Sequence, residues 1–232
     1  MAHAQTAPRW RAWTGPAALV LIVLLAVPFV LHSATFGIRG LLADLSAETR
    51  LHLPGRASNA AISVHMVAGA VVTLAAPFQL ITPLRRRFPA LHRWTGRTAV
   101  AAALVAALGG LWHIAERRTI GGLNMDVGFA LYGAALGLAA VQAARHARAR
   151  RIPQHRAWAI RLFALAMGSL LFRVHYGVWF AATGGLGVET ETLSGPFDRI
   201  QVWAFWIPYL ILAEIWIGRG HAKRSGDVGG DT

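Results

Sequence analysis

The chain has 232 residues, 55% hydrophobic and only 14% charged, too apolar for disorder and too poor in charge for a solvated globular surface. Its 23 Lys and Arg against 10 Asp and Glu leave a net charge of +13, an excess that points to nucleic acid or an anionic membrane. The absence of cysteine excludes disulfide frameworks, thiolate metal sites and cysteine nucleophiles.

Apolar runs decide for the membrane. Six stretches approach the roughly 20 residues needed to cross a hydrocarbon core of about 30 Å. Residues 1–15 form a short leading segment, and Arg9, Trp10 and Arg11 precede a first span at 16–32. Those charges imitate the n-region of a signal peptide, but no convincing small-x-small cleavage site follows, so the span reads as an uncleaved anchor. In the loop 33–60, Leu41, Leu42 and Leu45 predict a short interfacial helix over 36–49. The second span covers 61–81, the third 98–114 and the fourth 127–144. The fifth, 157–181, carries Arg161, Arg173 and His175 in an otherwise apolar run, and the sixth, 200–217, holds Glu214. A Gly/Asp/Ser-rich tail over 218–232 is expected to be disordered. The expected fold is an all-α, polytopic bundle of six spans filling 16–217.

Orientation follows from the Lys/Arg bias of short loops. A cytoplasmic N-terminus places sixteen basic residues inside, among them Arg85, Arg86, Arg87, Arg93, Arg97 and the run from Arg145 to Arg151, against six outside. Both termini are therefore expected in the cytoplasm. The run at 145–151 lacks interleaved aromatics for base stacking, so it reads as a headgroup-binding, stop-transfer segment. The lipid bilayer is the expected partner, and nucleic acid is not.

Ionisable groups within spans are costly and tend to face a bundle interior or cavity. His92 and His113 are 21 residues apart on one span, about 31 Å along a helix, so they belong to opposite faces. His155 and His175 stand in the same relation. One layer, near the cytoplasmic side, contains His92, Arg93, Arg97, His155, Arg156, Arg161 and Glu214. The external layer contains His65, His113, Arg173 and His175. The third and fifth spans are expected to be neighbours that bring His92, His155, Arg97 and Arg161 into one pocket. Glu214 is expected to pair with Arg161, because their depths match and an isolated carboxylate there would take up a proton.

Several motifs then line up: His65-Met-Val-Ala-Gly69, Pro77-Phe-Gln79, the stretch Leu91-His-Arg-Trp-Thr-Gly-Arg97, and His155-Arg-Ala-Trp-Ala-Ile-Arg161. With Gly121-Gly122, Arg173 and Trp206-Ile-Pro-Tyr-Leu-Ile-Leu-Ala-Glu214, they resemble a bacterial membrane-protein family catalogued as domain of unknown function 2306, over about residues 60–214. The combination of LHRxxGR with HRxWxxR carries the resemblance. It implies a multi-pass protein of the bacterial cytoplasmic membrane and assigns no reaction. In that family the last motif usually reads Trp-x-Pro-Asn, whereas this chain has Tyr209, so any role of the amide would pass to a hydroxyl.

Histidines near both faces are also similar to those of the di-haem transmembrane cytochromes b. That likeness implies haem b held by His92 with His155, with Arg97 or Arg161 at the propionates, and a second haem held by His65 with His175 or His113. Three function classes follow: a haem-bearing electron carrier or reductase, a transporter or small-molecule binder lined by Glu214, Arg161, Arg173 and the histidines, and a structural subunit. No nucleophile-elbow or His-Glu-x-x-His signature supports a hydrolase, and no His pair at i,i+4 marks a metal site.

Overall fold

The computed structural model describes the backbone of residues 10–53 and 57–228, with side chains over 20–53 and 57–219. Its elements are all helices: α1 (Trp10–Leu42), α2 (Ala57–Phe78), α3 (Thr82–Arg87), α4 (Pro89–Arg117), α5 (Gly122–Arg148), α6 (Ile152–Ala166), α7 (Gly168–Thr183), α8 (Pro196–Ala204) and α9 (Ile207–Val228). Six segments are long and apolar enough to cross a membrane: Val20–Leu42, Ala57–Phe78, Pro89–Arg117, Gly122–Arg148, Ile152–Thr183 and Pro196–Arg219. Helices suit that setting because each satisfies its own backbone hydrogen bonds where no water competes.

The bundle is organised around α2, which packs on α1, on α4 and more lightly on α6. Helix α5 bridges α4 and α6, and α9 packs on α6. Small residues make the close contacts. Ala102, Ala103 and Ala107 of α4 meet Ala139, Ala140 and Ala143 of α5 in one buried cluster with Val72 and Ala76 of α2. Without a hydrophobic drive between helices in lipid, such surfaces let backbones approach and gain dispersion contact.

The last two spans are interrupted. A turn at Met167 separates α6 from α7. The Leu165 carbonyl there accepts the Tyr132 hydroxyl at 2.7 Å, and the Ala166 carbonyl accepts Thr73 Oγ1 at 3.5 Å. Gly168 permits this approach, since a Cβ there would stand 2.8 Å from the Tyr132 ring. In the sixth span, Phe205 and Trp206 form the turn between α8 and α9. Pro208 lacks the N–H that would bond the carbonyl four residues earlier, so the ladder breaks there.

Several boundaries differ from the sequence reading, the third span among them, which starts at Pro89 rather than 98. The interfacial helix expected over 36–49 is not separate: α1 continues to Leu42, and turns follow from Thr49 back to Leu45. The apolar face of Leu41 and Leu42 extends the span rather than lying on the surface. The fifth span begins at Ile152, because Pro153 sits in its first turn, where a missing N–H costs nothing. Helix α9 runs past Gly218 to Val228, while 229–232 and 1–9 lie outside the described residues.

The six segments divide the connecting loops between two faces. One face carries 79–88 and 149–151 and is rich in arginine; the other carries 43–53, 118–121 and 184–195. The second face is tied together by backbone carbonyls and by the buried carboxylates of Asp126 and Asp198. Arg117 donates to the carbonyls of Leu51 and Arg50 at 2.6 and 3.1 Å, and Arg50 donates to that of Glu191 at 2.9 Å. Buried Asp198 accepts the Glu189 and Gly195 N–H groups and the Tyr176 hydroxyl.

Candidate functional site

The arginine-rich face satisfies most of its own polar groups. Arg161 Nε and Nη2 reach the two oxygens of Glu214 at 2.5 and 2.7 Å, and the guanidinium lies over the Trp158 ring at 4.5 Å. The pair expected from matched depths is thus formed, between α6 and α9, in bidentate geometry. His155 Nδ1 lies 2.9 Å from the Ala143 carbonyl, which has no proton to give, so Nδ1 donates. Arg97 stacks over the exposed Trp94 at 4.9 Å. His92 and His155 lie within electrostatic range of each other. Their helices, however, are not the direct neighbours expected: α4 and α6 share at most marginal contact, because both pack on α2 and on α5. Arg161 is committed to Glu214 and Arg97 to Trp94, which leaves the imidazoles without the arginine pocket read from the sequence.

The opposite layer is built differently. His175 on α7 has both ring nitrogens engaged: Nδ1 with Gln201 Oε1 at 3.1 Å and Nε2 with the Tyr209 hydroxyl at 2.7 Å. The Gln201 amide donates to the Phe172 carbonyl, so its oxygen faces the ring as an acceptor. Nδ1 therefore carries the proton, and Nε2 accepts from Tyr209. Three helices, α7, α8 and α9, are pinned through one imidazole.

His65 on α2 sits with Nδ1 2.6 Å from the Ala106 carbonyl, which again fixes the tautomer and leaves Nε2 as an acceptor. Its seat is cut into α4 by Gly109 and Gly110: a Cβ on Gly110 would stand 2.9 Å from Nδ1. His113 is buried, with Nδ1 unpartnered.

Arg173 is the exception. It lies ten residues before the end of α7, about 15 Å along the helix, and its side chain is exposed. Its guanidinium donates to the Ser169 carbonyl at 3.0 Å and lies 4.6 Å over the Phe29 ring of α1. Tyr132 on α5 and His65 on α2 are within its electrostatic range. Among the described residues no carboxylate pairs with it; the ion pairs there are Arg39–Glu48, Arg118–Asp126 and Arg161–Glu214. The single cavity expected to be lined by Glu214, Arg161 and Arg173 together is thus divided, with the two arginines twelve residues apart, about 18 Å along the span.

Residues 62–217 match the model of a family described as a predicted membrane protein (DUF2306). The chain belongs to this family. No curated protein and no solved structure matches it. The DUF2306 segment contains His65, Tyr132, Arg173, His175 and Tyr209, whereas Phe29, which faces Arg173, lies on α1 outside it. So does His52, which the sequence reading passed over. This histidine is in the segment after α1, over 43–53, and is almost fully buried, with Nε2 3.2 Å from Ser63 Oγ and its edge against Phe36. Burial holds its imidazole below the usual histidine range, with Asp44 opposing and Arg117 adding to the effect. Only the tertiary contacts reveal it, since a loop histidine carries no periodic signal. Among the described residues, no three His, Asp or Glu side chains converge as a metal-ligand group.

Proposed function

We propose that this membrane protein is a carrier for a small anionic molecule, which it binds between α1, α2, α5 and α7 at Arg173. The observation that carries this reading is a guanidinium within a span, exposed and, among the described residues, without a carboxylate partner. An uncompensated charge at that depth is costly, and a bound anion offsets it. The two interrupted spans support carriage rather than static binding, since broken helices beside a mid-membrane site are what alternating access uses. The basic face is read as cytoplasmic, in a bacterial cytoplasmic membrane, on the strength of its arginine excess.

A haem held by His65 with His175 fits poorly, because His175 has no free nitrogen. A second reading is kept for the basic face alone, where His155 donates through Nδ1 and leaves Nε2 free, as an axial ligand requires. Native mass spectrometry of the detergent-purified protein tests the first reading. It should show a co-purified anion that is lost in Arg173→Gln and kept in Arg161→Gln. An identical ligand profile in wild type and Arg173→Gln would overturn the anion site, and a Soret band that sharpens on dithionite reduction would select the haem reading.

A further inference from the structure

We infer that the ligand of the Arg173 site is an amphiphilic monocarboxylate, its head on the guanidinium and its tail along α1. This rests on the anion reading above and adds the charge and the shape of the molecule. The charge follows from what surrounds Arg173. The titratable groups whose interaction reaches Arg173 are Tyr132 on α5 and His65 on α2, and among the described residues no carboxylate pairs with it. A neutral His65 contributes no charge, so one cation stands alone and one negative charge balances it.

The apolar character follows from the hydrogen bonds already made. The Tyr132 hydroxyl is given to Leu165, Thr73 to Ala166, and the His175 ring to Gln201 and Tyr209. His65 has spent its Nδ1 proton on Ala106. Few donors remain beyond the guanidinium, so a sugar or a polyhydroxy acid would leave most of its oxygens unsatisfied. Next to the guanidinium the wall is apolar: Ala26 and Phe29 of α1 pack with Leu170 of α7, and Val30 and Val174 pack against them. A cation at one end of an apolar wall matches a carboxylate with a hydrocarbon tail. Because the Arg173 side chain is open on one side, such a molecule can enter from the lipid without crossing the loops.

Equilibrium binding of radiolabelled octanoate to the full chain in phosphatidylcholine nanodiscs tests the inference, with empty nanodiscs as the blank. Saturable binding is expected, weakened at least tenfold in Arg173→Gln and partly restored in Arg173→Lys. Acetate should compete at least tenfold less well than octanoate, and octyltrimethylammonium not at all. Val30→Ser and Val174→Ser should each weaken octanoate more than acetate; two variants guard against misfolding of either. Acetate competing as well as octanoate, or no saturable octanoate binding, would overturn the amphiphile while leaving an anion site standing. Octanoate and acetate binding that both ignore Arg173→Gln would overturn the anion reading itself.

Discussion

Two arginines of one span meet opposite fates. Arg161, on α6, is closed by a bidentate carboxylate and an indole face; Arg173, on α7, has a carbonyl of its own helix and a phenyl face. The first is complete without any other molecule. The second has no carboxylate partner among the described residues, and the proposed anion would supply the missing charge. Depth alone does not make a functional residue. What distinguishes the two is whether the fold supplies the counter-charge.

The sharpest way to break the comparison is to remove the counter-charge that exists. Glu214→Gln should strand Arg161 and lower stability by on the order of 2 kcal/mol, less than for a fully enclosed pair because the Glu214 side chain is 47% exposed. Arg161→Gln added to it should recover part of that loss in thermal unfolding, whereas purely additive damage would deny the coupling. Arg173→Gln should leave the melting temperature close to wild type, because no partner is stranded. A large loss there would place Arg173 with the structural arginines.

The seat of His65 is the next lever. Gly110→Val puts a branched side chain where a single Cβ already approaches Nδ1, and overpacking of this kind costs about 1–3 kcal/mol. The measurement is detergent stability together with anion retention, and both should fall. Tyr209→Phe removes one neutral hydrogen bond to His175 and should cost about 1 kcal/mol. If it costs nothing, the imidazole does not pin α7 to α9.

The smallest effect is a pH dependence on the loop that covers the face nearer Arg173. His52 has a lowered affinity for protons in the folded chain, so the unfolded chain binds the proton more readily. Its contribution is fully present above the ordinary histidine pKa of about 6.5 and is lost as pH falls from there toward the folded value. Unfolding followed between pH 8 and 5 should show this loss, and His52→Gln should flatten it. An unchanged slope in the variant would assign the dependence to other groups.

Six apolar runs separated by short loops determined the all-helical, membrane-spanning architecture, because span length and backbone hydrogen bonding leave a chain of this composition little else to form. Depth counting along those runs also determined the Arg161–Glu214 pair, since residues at equal depth on adjacent antiparallel helices meet. What the sequence did not contain was the fate of each imidazole. His65 is fixed by a carbonyl of α4, His175 by side chains of α8 and α9, and His52 by a serine of α2. Each partner lies far along the chain or across a turn, and hydrophobic periodicity says nothing about which helix faces which. The break at Met167 was equally hidden, because it depends on Tyr132, Thr73 and Gly168 meeting across the bundle, whereas Pro208 marks the one after Phe205 in the sequence itself. Tertiary packing alone decided that, among the described residues, Arg173 meets no carboxylate, because the surroundings of a charge deep in a membrane are set by which side chains the neighbouring helices bring to it.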